Sequence, residues 1–280
     1  MWLTRKAIWL RLGHLLRGNH KIDHSPVFKQ VTLENLEAEH ICCCISDKKG
    51  ENCVSSKKSW LRNRMQEGLV FNKLDVRGKV FIEYLPAEFA WAPINADGYM
   101  YIDCLWVSGQ YKGKGFGDQL MDQCIDDSRA KGKKGLVCLS SKKKMPFLAD
   151  PGYLKHRGFK VADTASPYYE LFYLPFSDPG TVPAIKDVAR NGCVDEKGLI
   201  LYYSDQCPHT SKYVPLLAGN LKELGLECRF RKIETKEDAQ AAPVPFTTYA
   251  LFYNGAFVTN EILSEKSFSK IWERIGNTQG

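Results

Sequence analysis

The chain has 280 residues, of which 44% are hydrophobic, 12% aromatic and 25% charged. That balance excludes a disordered chain, and no uncharged apolar run of about 18 residues occurs to make a transmembrane segment. The formal net charge of +7 points to an anionic partner without identifying it, and at roughly 150 residues per domain the length predicts two domains.

The first acid is Asp23, and before it Arg5, Lys6, Arg11, Arg17 and Lys21 accompany Trp2, Leu3, Ile8, Trp9, Leu12, Leu15 and Leu16. The pattern is that of a membrane-surface helix or a transit peptide. Bases interrupt it too often for insertion, so the plainer reading is a basic extension over 1–27. A strand over 27–33 then leads into a predicted helix over 34–45, with Thr32 as N-cap and Glu34 and Glu37 near its start. A second helix over 55–67 stops at Gly68. Strands at 69–74, 79–85 and 99–107 follow. A helix over 118–131 ends at Gly132, and a strand occupies 135–140. A short helix at about 153–156 ends at Gly158, and a last strand pair includes 169–174.

Pro175, Pro179, Gly180 and Pro183 mark a break, so the folded part divides into 28–178, a linker over 179–196, and 197–280. The second part reads as strand 199–204, helix 211–224, strand 227–233, strands 249–253 and 256–259, and helix 267–274, a βαβββα order. The fold class is α/β (α+β). No internal repeat is visible.

The ten cysteines contain no CxxC pair, and the three adjacent thiols of Cys42, Cys43 and Cys44 diverge too far to hold one zinc. With no cleavable secretory signal, the simplest expectation is a cytoplasmic protein with free thiols, no metal, and cysteines used mostly for core packing.

The most informative segment is YIDCLWVSGQYKGKGFG, 101–117. A strand runs into a glycine-rich turn and then a helix. Such a turn leaves backbone N–H groups free at a helix N-terminus, where the dipole also favours an anion. Gly113, Gly115 and Gly117 allow close approach, and Lys112 and Lys114 add charge. Neither the Walker A loop nor the GxGxxG dinucleotide fingerprint is present. On these residues alone, a tight structural turn stays as open as a phosphate cradle.

Gln110-Tyr111-Lys112-Gly113-Lys114-Gly115 resembles the Q/R-x-x-G-x-G/A signature of the GNAT N-acetyltransferase superfamily. Gly158-Phe159 resembles that family's closing GF element, and the likeness covers about 28–176. The resemblance implies a GNAT fold with a mixed central sheet and acetyl-CoA as co-substrate. By that likeness Leu105, Trp106 and Val107 line the pantetheine arm. Gln110, Tyr111, Lys112, Gly113, Lys114, Gly115, Phe116 and Gly117 hold the pyrophosphate.

Acyl transfer to an amine calls for a general base and then an acid for the leaving thiolate. The resemblance makes Asp103 the first base candidate and Glu83 the second. Asp103 equally reads as a structural hydrogen-bonding carboxylate. Alternation along a strand predicts that Asp103 and Leu105 project together. The family's usual acid, a Tyr, falls here on Leu154. Tyr153 lies one residue earlier, about 100° around a helix, and is the acid candidate, with Tyr168, Tyr169 or solvent as substitutes. The lysines of 131–134 and 142–144 either steer phosphates or form a solvated face, and no nucleic-acid motif accompanies them.

In the second part, Cys207 precedes a helix, where the dipole should favour its thiolate. Its place resembles the active-site turn of thioredoxin-like proteins, although the partner position holds Thr210. Residues 245–255 resemble that fold's proline-strand-turn segment. PFTTYALFYNG and ILSEKSF together resemble the YoaP-like C-terminal domain. Cys207 is then either a reactive or metal-binding thiol, or incidental in a module that recognises substrate or dimerises.

The leading expectation is an N-acetyltransferase that moves the acetyl group of acetyl-CoA to a primary amine by direct attack in a ternary complex. The competing expectations are a thiol-redox or metal-handling protein using Cys207, and a non-catalytic acyl-CoA sensor. Partners are acetyl-CoA and an amine acceptor, without nucleic acid or a membrane span; homodimerisation stays open. The acceptor region is expected within 42–65 and 163–174.

Overall fold

The computed structural model describes residues 26–41, 43–178 and 180–277. The basic extension lies, up to residue 25, outside these, as does Cys42. In chain order the elements begin with strand β1 (Phe28–Val31), helix α1 (Cys53–Gln66), and strands β2 (Val70–Leu74), β3 (Val80–Pro86), β4 (Ile94–Asn95) and β5 (Met100–Val107). Next come α2 (Phe116–Ala130), β6 (Gly135–Ser141), α3 (Pro151–His156), β7 (Lys160–Ala165), β8 (Tyr169–Pro175) and β9 (Ala184–Ile185). The rest is β10 (Leu199–Tyr203), α4 (Thr210–Glu223), β11 (Cys228–Lys232), α5 (Lys236–Gln240), β12 (Tyr249–Tyr253), β13 (Ala256–Thr259) and α6 (Glu265–Asn277).

Seven strands form one sheet in the order β1-β2-β3-β5-β6-β8-β7. The β5–β6 pair is parallel and its neighbours are antiparallel, so the sheet is mixed. Period-two alternation sorts β3 between two cores. Val80, Ile82 and Tyr84 face Leu120, Met121 and Cys124 of α2. Phe81 and Leu85 face Trp60 and Leu61 of α1. The buried positions of α1 are Cys53, Lys57, Trp60 and Leu61, at i, i+4, i+7 and i+8, one stripe of the helix. At Gly135 on β6 a Cβ would lie 2.3 Å from the Leu174 carbonyl oxygen, so the close β6–β8 approach requires glycine there.

The second sheet has the order β11-β10-β12-β13, with β10 and β11 parallel and the rest antiparallel. It packs directly on the first. Ile200, Ala250 and Phe252 share one continuous core with Trp91, Tyr169 and Leu171. Gln240 donates to the Glu88 and Ala90 carbonyls at 3.2 Å each, and Asn260 donates to the Pro146 carbonyl at 3.1 Å. Residues 184–190, expected in a linker, are fastened to the first sheet. β9 pairs with β4, Ile185 N–H donates to Asp163, and Arg190 bridges Asp163 at 2.8 Å.

Two expectations change here. Among the described residues of 34–45 no regular helix forms; the chain makes successive turns instead. Asn35 accepts the Thr32 N–H at 2.9 Å, and Glu39 is drawn to Lys29 and to the buried Lys73. That tertiary ion pair outweighs local helix propensity. The βαβββα order gains α5, capped by the Thr235 side chain. Among the described residues a cis peptide joins Ser166 and Pro167. No helix among them is long and apolar enough to cross a membrane.

Candidate active site

β5 and β6 pair only from Met100–Leu136 to Ile102–Cys138. Beyond Ile102 they separate, and the edge of β5 facing β6 is left open. A β-bulge lies at the same point. Against β3, Glu83 opposes Cys104 while Tyr84 opposes Ile102, so Asp103 is the extra residue. The bulge shifts the alternation. Asp103, Cys104 and Trp106 open on one face of the sheet, and Ile102, Leu105 and Val107 on the other. The expected shared face of Asp103 and Leu105 is therefore overturned, and Trp106 leaves the group that lines the cleft with Leu105 and Val107.

The cleft on the Leu105 face has a volume of about 380 Å³ and lies between β5, α2 and α3. Tyr111, Lys112, Gly113, Gly115, Phe116 and Gly117 border it, whereas Gln110 and Lys114 do not. Gly113 and Gly115 have φ of 72° and 75°, a left-handed backbone suited to glycine. Gly115 is the N-cap of α2 and no side chain caps the helix, so the first-turn N–H groups stay available. Tyr111 packs against Phe116 with the rings tilted by 60° and their centroids 6.1 Å apart, which stiffens the turn. The lysines of 131–134 and 142–144 do not border the cleft. Lys131, Lys133 and Lys144 pair with Asp127, Glu88 and Asp150.

α3 starts with Asp150 as N-cap, accepting the Gly152 N–H at 2.9 Å, and Pro151 at its first position. Leu154 turns into the core, 1% exposed, and Tyr153 faces the cleft. The Tyr153 hydroxyl lies 3.7 Å from where a Cβ on Gly117 would be, and has no hydrogen-bond partner among the described residues. Burial, and then the nearby Asp118 carboxylate, push its pKa up, so the phenol holds its proton.

The cavity on the Asp103 face has a volume of about 480 Å³. Its floor is a buried charge group. Lys57 Nζ lies 2.7 Å from Glu83, each side chain 1% exposed. Burial opposes the Lys57 charge, but the Glu83 carboxylate prevails and raises its pKa. Cys43 Sγ lies 3.8 Å from the other Glu83 oxygen. Asp103 stands beside this pair. Its Oδ1 accepts from Gln206 Nε2 at 2.6 Å, and its Oδ2 is buried without a partner among the described residues. Burial first, and then the Glu83 charge, lift the Asp103 pKa to about 7, against the pull of Lys57 and Arg64.

The second sheet supplies the opposite wall. The 3.2 Å bond from Thr210 N–H to the Cys207 carbonyl closes a turn that presents Gln206, Cys207, Pro208 and His209 to the cavity. Burial raises the Cys207 thiol to about 11, so the expected thiolate is not favoured; dehydration outweighs the helix dipole. Burial, then Lys79 and Lys212, lower His209. Outside both spaces, Cys44, Asp47 and Cys53 bring ligand atoms within 4.8 Å of one another, the group of metal-ligating type among the described residues.

Residues 36–148 match the acetyltransferase (GNAT) family, and residues 229–270 the YoaP-like family. The uncharacterized N-acetyltransferase YoaP of Bacillus subtilis (strain 168) is 43% identical over 242 residues, spanning 86% of this chain and 96% of that protein. The chain belongs to the GNAT acetyltransferase family. It is an acyltransferase with a YoaP-like C-terminal region. Solved acetyltransferase structures are similar to it over part of the chain. PaiA N-acetyltransferase of Thermoplasma acidophilum, in complex with coenzyme A, is 16% identical, with a TM-score of 0.39 over 54% of this chain and 99% of its own. The ribosomal-protein-S18-alanine N-acetyltransferase of Escherichia coli is 13% identical, with a TM-score of 0.38 over 54% and 94%.

This GNAT chain carries site residues that sequence reasoning missed. Lys57 sits in an apolar helical stripe, which was the available signal. Gln206 and His209 flank the singled-out Cys207, but nothing local linked them to Asp103. Phe246 and Thr248 lay within the YoaP-like segment without a role.

Proposed function

We propose that the protein transfers the acetyl group of acetyl-CoA to a primary amine by direct attack in a ternary complex. Acetyl-CoA fits the cleft on three grounds: the uncapped α2 N-terminus, the left-handed glycines before it, and the open edge of β5. The amine enters from the other side of β5. On this reading the amine and the thioester meet across the β5–β6 gap, beyond the last paired residues Ile102 and Cys138.

The observation that carries this reading is the free Oδ2 of Asp103, held at that gap on a group poised near neutrality. Asp103 takes a proton from the bound ammonium. The amine lone pair then attacks the thioester carbonyl, the C–S bond breaks as Tyr153 gives its proton to the leaving thiolate, and the nitrogen sheds its second proton to solvent, from which the Tyr153 phenol is restored. Gln206 fixes Oδ1 and leaves Oδ2 to receive the proton. Glu83 holds Lys57 and sets the field around Asp103. Cys207 stays a neutral thiol in the wall.

The test is release of free CoA, measured by chromatography, from acetyl-CoA with a panel of primary amines. Turnover with at least one amine is expected, falling about 10²–10⁴-fold in Asp103→Asn. Turnover that survives this substitution would remove Asp103 as the base.

A further inference from the structure

The acceptor-side cavity has a composition that selects its occupant. Phe81 and Trp106 come from the first sheet, Phe147 from the loop after β6, and Tyr213 and Phe246 from the second part of the chain. Trp106 is 47% and Phe147 38% exposed, an unusual amount of aromatic surface to leave uncovered in a concave wall. Phe147 also sits at φ 65°, a left-handed backbone that bulky residues rarely adopt. Strained backbone of this kind persists where the surroundings fix it, and it gathers at ligand sites.

The charges are arranged for one ammonium. Lys57 and Glu83 satisfy each other. Asp103 offers the carboxylate oxygen without a partner, at the floor. Lys79 and Glu261 face the cavity from its walls, and Glu261 is exposed. A second cation would have Lys57 and Lys79 as neighbours, and a carboxylate-bearing acceptor would meet Asp103 and Glu83. The Gln206 turn, bonded to Asp103, walls the cavity opposite the first sheet.

We propose that the acceptor is a small primary amine with an aromatic or bulky apolar body, enclosed between the GNAT and YoaP-like regions, and that the YoaP-like region is the half of the site that selects it. This rests on the transferase reading above, through the place given to the acceptor. The volume of about 480 Å³ falls in the range of small-molecule pockets and accommodates such an amine.

The test uses the full chain with acetyl-CoA and compares 2-phenylethylamine, ethylamine, spermidine and a peptide with a free N-terminus. The expected kcat/KM for 2-phenylethylamine exceeds that for ethylamine by at least about tenfold, the worth of a buried apolar group, with spermidine and the peptide below it. Phe246→Ala should collapse this ratio to about twofold by raising KM for 2-phenylethylamine. Preference for spermidine or the peptide, or a ratio that Phe246→Ala leaves intact, overturns the proposal. If no amine turns over, the transferase reading fails by itself. Calorimetric binding of the same four probes then decides this one, with tightest binding of 2-phenylethylamine expected and any other order refuting it.

Discussion

Replacing Gln206 by Leu removes the donor that holds Asp103 Oδ1 while keeping a side chain of similar size in the wall. A hydrogen bond to a charged group contributes about 1.5–3 kcal/mol. At 1.36 kcal/mol per pKa unit, its loss raises the Asp103 pKa by about 1–2 units. Starting from about 7, the group moves to about 8–9. Ionisation at neutral pH then falls from about one half to between about a tenth and a hundredth, so kcat/KM at pH 7 drops about five- to fiftyfold. The acid limb of the kcat/KM profile should move up by the same amount, and most of the lost activity should return at high pH. Glu83 on β3 and Lys57 and Arg64 on α1 face Asp103 and are untouched, so they do not move the limb. The assay is kcat/KM against pH for the wild type and variant, with thermal melting as the check on folding. A uniform loss at every pH, with the limb in place, refutes the coupling between Gln206 and the base.

Tyr153→Phe deletes the phenol that faces the cleft and leaves the ring packed. Turnover should fall at least about tenfold, with acetyl-CoA affinity held when measured by calorimetry. Unchanged turnover removes Tyr153 from the mechanism. Asp103 also carries a stability signature. Its folded pKa, about 7, stands above the ordinary Asp value of 3.8, so the folded state binds the proton more tightly. The carboxyl's contribution is therefore complete below about pH 4 and is lost as pH rises through about 7. The loss is at most about 4 kcal/mol, from about three units at 1.36 each. Asp103→Asn escapes it, so the melting temperature of the variant relative to wild type should climb from about pH 4 to 7 and level off above. A constant or shrinking difference over that range contradicts the burial of the charge.

Much of the first sheet was legible because its signals are local. Period-two runs marked β2, β3, β5 and β8, glycines marked the helix ends, and 110–117 announced the turn before α2. The predicted helix over 34–45 failed for a non-local reason. Glu39 finds its partner at Lys73, 34 residues away, and no window of helix propensity contains that pair. The charge on Lys57 is hidden in the same way. Its place in the stripe of α1 is visible, but the carboxylate that makes burial tolerable lies 26 residues on.

The bulge at Asp103 shows how far a one-residue event can reach into chemistry. From sequence, β5 alternates without interruption, and alternation puts Asp103 with Leu105. The bulge exists only in the register between β5 and β3, and it turns Asp103 away from the CoA-side cleft. A base on the Leu105 face would compete with the thioester for one cleft. On the Trp106 face, the proposed acceptor side, it would meet the amine across the gap, with the thioester on the far side. The same turn of the side chain brings it to Gln206, which sequence separates from it by 103 residues. Deleting the extra residue restores straight pairing but is a deletion of Asp103 itself, so it should remove the proposed base and its bond to Gln206 together, while the shared core still joins the two regions. The acceptor cavity depends on both, since one wall is the first sheet and the other begins at Gln206.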